Sequence, residues 1–136
     1  MKIKICLFLV LSLLALTTEA FCEDLVLENQ TVYPAKDQKA KIAIQWASSA
    51  KEVDEANHAA AHGLELRLDS IKFLTQSGKV HIVIPDNAQY FRVLVWSTGT
   101  GNPDLLTNWV DVVPNKTFTL KADHLVPASL MAGTGC

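Results

Sequence analysis

The 136-residue chain has no apolar run long enough to cross a bilayer and no two adjacent basic residues. It has no internal repeat and only three cysteines. The longest apolar stretch, 5–16, covers twelve residues interrupted only by Ser12. A membrane helix needs about 20. Without a basic run, charge offers no support for binding nucleic acid or an anionic membrane. Catalytic signatures are missing too. There is no GxSxG, no HExxH and no phosphate loop, since Gly99-Thr100-Gly101 is too short and Pro103 follows it. Outside the leading apolar run the serines all stand in turn or cap contexts. A small secreted hydrolase is therefore only a remainder among the functional readings.

The first residues carry an export signal. Lys2 and Lys4 precede the apolar run, and Thr18 and Ala20 supply the small side chains that signal peptidase requires. Residues 1–20 read as a cleaved secretory signal and 21–136 as one β-sandwich domain. Phe21 disfavours lipidation of Cys22. The expected location is secreted or periplasmic, with no membrane span in the mature form. Loss of Lys2, Lys4 and Glu19 leaves ten basic and thirteen acidic residues, a mild net charge of −3.

Cys6 leaves with the signal. Cys22 and Cys136 remain, and two cysteines in an exported chain are expected to pair. Such a bridge would close a loop of about 115 residues, worth roughly 4–5 kcal/mol in the chain-entropy view.

The mature sequence reads mostly as strands. Ile42, Ile44 and Trp46 alternate with Lys41 and Gln45, which predicts a half-buried strand. Leu64, Leu66 and Leu68 alternate with Glu65, Arg67 and Asp69. Ile71 and Phe73 then continue on the other parity, which suggests a bulge at Asp69-Ser70. The 76–79 segment reads as a hairpin turn leading to a strand that buries Val80, Ile82 and Ile84. Tyr90 to Trp96 is apolar on both faces apart from Arg92, as in a central strand. A second pair is expected around Pro114-Asn115, joining Trp109–Val113 to Thr117–Leu120. Between them, 97–104 is a loop rich in turn residues.

One stretch differs. Ser49 and Glu52 form a capping-box pair, alanines fill 50–61 and Gly63 stands where a C-cap glycine belongs. The segment predicts a short helix near 50–62, over a sheet edge or across one end. The fold class expected is all-β and mainly antiparallel. It is a small immunoglobulin-like β-sandwich of about seven strands with this one inserted helix. A small barrel is the alternative.

Two constellations could carry function. Asp54, His58 and His62 fall at i, i+4 and i+8, one turn apart on one helix face. Two imidazoles at that spacing can chelate Zn or Cu, with Asp54 as a third ligand or an orienting group. Ala59 follows His58, so the general base of a zinc protease is missing. The plainer reading is a solvated helix end whose histidines suit the dipole. His81 and His124 stand alone. The second constellation is aromatic. Trp96, Trp109 and Tyr90, with Asp111, could form a platform for a protein partner or a carbohydrate. The loop 97–104 would be its neighbour. Asn29 and Asn115 each begin an N-glycosylation triplet. The function these features favour is an exported binding or interaction module with no cofactor. A periplasmic or extracellular metal-binding protein is the alternative.

Overall fold

A computed structural model of the chain describes residues 23–36 and 39–132. The proposed signal, Cys22 and Cys136 lie outside the described residues, so the leader and the disulfide are proposals here.

Alternation builds the first strand: in β1 (Asp24–Asn29) Leu25, Leu27 and Asn29 point inward. The other strands are β2 (Lys41–Ala47), β3 (Ile71–Leu74), β4 (Gly78–Val83), β5 (Tyr90–Trp96), β6 (Leu105–Leu106), β7 (Val110–Asp111), β8 (Thr117–Leu120) and β9 (Val126–Pro127). Two α-helices accompany them among the described residues, α1 (Ala50–Ala61) and α2 (Ala128–Ala132). β1 lies between β4 and β8 in a three-stranded sheet, antiparallel to β4 and parallel to β8. The larger sheet runs β3-β2-β5-β6-β9, with β7 also on β5, and all its pairs are antiparallel. The fold is an all-β sandwich. Among the described residues its nine strands exceed the expected seven because β6 and β9 are two-residue pieces that periodicity cannot register.

The sandwich seam is apolar. Leu25, Leu27, Ile82 and Leu120 of the small sheet meet Ile42, Ile44, Phe91, Val93 and Val95 of the large one. A second cluster of Ala43, Leu94, Trp96, Leu106 and Ala128 lies on the opposite face of the large sheet. The helices cover that face, not an edge or an end. β2 is consequently buried on both sides, and Gln45, expected in water, is 2 % exposed.

Two predicted hairpins do not form, because each turn carries the chain from one sheet to the other. β3 belongs to the large sheet and β4 to the small one; β7 and β8 are split in the same way. The predicted strand at Leu64–Leu68 is also corrected. The segment is irregular, and a 3₁₀ turn at Leu68–Ser70 stands where a bulge was expected. Gly63 (φ +62) ends α1 with the Leu64 N–H bonded to the Ala59 carbonyl. That closure is a Schellman motif. The chain then reaches the edge of β2 only from Ile71 onward. Leu64 and Leu68 have no sheet face to bury and stay exposed.

α1 begins as its sequence implies, with one change. The Ser49 hydroxyl accepts the Glu52 N–H, but the Glu52 carboxylate accepts from Ser48 N–H at 2.7 Å, one residue before the cap. No residue of α1 is fully buried. Among the described residues no helix is long and apolar enough to cross a membrane.

Candidate functional site

Ile71 and Phe73 pair with Gln45 and Ala43, so both face the helix-covered side of the large sheet. Beyond the helices, on the β3 edge, that side opens into a groove of about 470 Å³. Ile71, Phe73 and Trp96 form its floor. One wall is Glu65, Leu66 and Leu68; the other is 99–103. Phe73 and Trp96 pack ring to ring, with centroids 5.2 Å apart. Leu68 is 71 % exposed and Phe73 is 44 % exposed, so the apolar lining is open to solvent. Phe73 and Lys41 also line a second hollow, bounded by Pro34, Ala40 and Leu74. Among the described residues the outer edge of β3 pairs with no strand.

The glycine-rich wall is braced. The Trp96 indole N–H donates to the Gly101 carbonyl at 3.1 Å. The Ser97 N–H and hydroxyl both donate to the Asp104 carboxylate. Burial would raise the pKa of Asp104, but these two hydrogen bonds outweigh it and hold the group below the usual carboxylate range. Asn102 donates from its amide to the Gly63 carbonyl at 3.0 Å, tying this wall to the end of α1. Gly99 is obligatory. Its φ is +76, and a Cβ there would sit 1.7 Å from the Lys39 carbonyl oxygen.

The predicted aromatic platform is divided. Trp96 and Tyr90 occupy the two ends of β5, about 20 Å apart at strand rise. Trp96 is 8 % exposed and contributes to the groove floor. At the other end Tyr90 is half-buried and pairs with exposed Asp111. Trp109 is half-buried: its indole N–H donates to Asn57 Oδ1 at 2.9 Å, and the Arg92 guanidinium lies 4.5 Å from its ring centroid.

Arg92 was not singled out by sequence reasoning as a site residue, yet it is fully buried. It donates to Gln45 Oε1 at 2.7 Å, Asn57 Oδ1 at 2.9 Å and the Ala56 carbonyl at 3.2 Å, all neutral acceptors. Burial pushes its pKa down to about 10, still well above neutral pH. The group is a structural clasp, since none of it reaches solvent. The lone arginine in an otherwise apolar strand was its sequence signal.

Asp54 and His58 on α1 and His62 at its C-cap are all exposed. The two imidazoles are brought together, with centroids 4.2 Å apart. Among the described residues no group of three or more His, Cys, Asp or Glu side chains is placed to hold a metal. His81 lies on the small sheet, 3.5 Å from Asp24, and His124 stands beside Asp123. Of the two glycosylation triplets, Asn29 is buried and bonded to Thr31 and Tyr33, whereas Asn115 is exposed. No protein-family model matches the chain, and the comparison with curated proteins finds no match.

Proposed function

We propose that the protein is an exported interaction module that holds an extended, apolar peptide segment of a partner protein along the β3 edge. One observation carries this reading. Exposed Phe73, packed on the buried Trp96 ring, and exposed Leu68 line an open groove directly beside a strand edge that pairs with no other strand among the described residues. An added strand gains main-chain hydrogen bonds from such an edge and side-chain pockets from the groove next to it. Exposed apolar grooves rimmed by polar residues mark binding surfaces, and Lys41, Glu65 and Asn102 supply such a rim. The braced 97–104 loop favours peptide capture further, because a preformed wall loses little entropy on binding. A carbohydrate would need polar groups converging on the ring faces, and here the floor is apolar.

Selection of a phage-displayed library of random peptides on the purified protein tests the proposal. The expected winners alternate apolar and β-branched residues and shift the amide resonances of 71–74 and 99–102. They lose binding to Leu68→Glu, a substitution at an exposed site that leaves folding intact. Winners that bind Leu68→Glu and Phe73→Ser as tightly as wild type would overturn the proposal, as would glycan binding at the groove without any peptide binding.

A further inference from the structure

The C-terminal turn of α1 carries a second feature, independent of the groove. His58 and His62 are both exposed, and their rings lie 4.2 Å apart with planes tilted by 35°. His62 Nδ1 lies 2.9 Å from the His58 carbonyl oxygen. A carbonyl can only accept, so Nδ1 carries the proton in that bond, and in the neutral ring Nε2 then keeps its lone pair. A backbone carbonyl fixing one ring nitrogen while the other faces outward is how metal-ligating histidines are usually oriented. The His58 ring makes no hydrogen bond among the described residues and remains free to turn toward the same point. His62 is the C-cap, so the negative end of the helix dipole lies at this position and favours a cation.

We infer that His58 and His62 chelate one late first-row divalent metal ion, with water completing its coordination and Cu²⁺ bound most tightly. Imidazole suits Cu²⁺, Ni²⁺ and Zn²⁺, and at a site without geometric constraint affinity follows the general order that peaks at Cu²⁺. Among the described residues no three-ligand cluster is preformed around the pair. Asp54 therefore stays outside the ligand set. The site binds metal and holds no general base for hydrolysis.

Calorimetric titration of the purified protein with Cu²⁺, Ni²⁺ and Zn²⁺ tests the assignment, with thiols first blocked by N-ethylmaleimide to remove cysteine as a ligand. One equivalent of Cu²⁺ is expected to bind. The affinity should fall at least about ten-fold in His58→Ala and in His62→Ala. It should stay within about three-fold in Asp54→Asn and in the His81→Ala/His124→Ala double variant. Paramagnetic Cu²⁺ should broaden the amide resonances of 57–63 before all others. Both histidines are exposed, so the variants should match wild type in circular dichroism and melting temperature without metal. Affinity unchanged in both α1 variants, or broadening centred elsewhere, would overturn the site. So would a loss in Asp54→Asn equal to that of a histidine variant, which would make the carboxylate a ligand.

Discussion

The two faces of the large sheet are held by different forces. Toward the small sheet, β2 and β5 present Ile42, Ile44, Val93 and Val95, all fully buried and packed on Leu25, Leu27, Ile82 and Leu120. Toward α1 the same strands present Gln45 and Arg92 beside a smaller apolar cluster that includes Ala43 and Leu94, and the helix answers with Asn57, a main-chain carbonyl and partly buried Ala60. No residue of α1 is fully buried. The apolar seam gains from removal of hydrocarbon from water and is indifferent to small rotations. The clasp is directional, and it contains a guanidinium that has lost its hydration without gaining a carboxylate. Its compensation is three hydrogen bonds and the face of Trp109, the latter worth about 2 kcal/mol when desolvated. The seam sets whether the protein folds; the clasp sets where the helix sits.

Breaking the seam should give the largest effect. Ile44→Ala removes three carbons from a site with no solvent access and should cost about 2–5 kcal/mol. Chemical denaturation should show one cooperative loss. Hydrogen exchange should accelerate across β2, β5 and α1 together, because global opening exposes them all.

Arg92→Leu separates the two faces. It removes a costly buried charge but takes from Gln45 Oε1 its donor, and from Asn57 Oδ1 and the Ala56 carbonyl one donor each, Asn57 keeping the Trp109 N–H. A net loss of about 1–3 kcal/mol is expected. Exchange should accelerate mainly in α1, with β2 and β5 protected nearly as in wild type. Equal acceleration on both faces would show that helix and sheet open as one unit. Asn57→Ala is the milder version, with a cost of about 1–2 kcal/mol. Its Oδ1 accepts from both Arg92 and Trp109, so this change should also move Trp109 fluorescence toward that of a hydrated indole. A double-mutant cycle with Arg92→Leu should give a coupling of about 0.5–3 kcal/mol; additivity would mean that Asn57 acts alone.

The contrast between the faces also explains what was legible in the sequence. Alternation in β2 and β4 placed their seam residues correctly, because one face of each meets a dry layer. Ser49, the alanines and Gly63 located α1 almost to its ends, since capping is local chemistry. The position of the helix was not legible. Gln45 and Arg92 look like water-facing residues until their partners, Ala56 and Asn57, arrive from another part of the chain. The two missed crossings share that cause: the 76–79 and 114–115 turns look the same locally whether the next strand pairs with the last one or joins the facing sheet. Trp96 and the 97–104 loop were chosen as binding elements and line the groove. Phe73 and Leu68 were not chosen, because their exposure depends on where the Leu64–Ser70 segment runs. The i, i+4 spacing found the histidine pair but could not say that a main-chain carbonyl fixes one of its rings.

The smallest effect lies at the start of α1, and it distinguishes the faces by pH. The Glu52 carboxylate accepts from Ser48 N–H, and that hydrogen bond, aided by Arg67 at 3.8 Å, holds its pKa below the ordinary glutamate range. A carboxyl group with a lowered folded-state pKa stabilises the fold above its unfolded pKa, about 4.3, and loses that contribution as pH falls through the folded value. Glu52→Gln keeps an acceptor for Ser48 but removes the charge. Wild type should therefore exceed Glu52→Gln slightly in urea midpoint at neutral pH, and the gap should close in acid. The Ile44→Ala penalty should stay level over the same range, because nothing in that substitution titrates. A gap for Glu52→Gln that persisted in acid would place its origin in packing of the side chain. The helix start would then belong with the apolar seam, and the division between the two faces would fail at this end of α1.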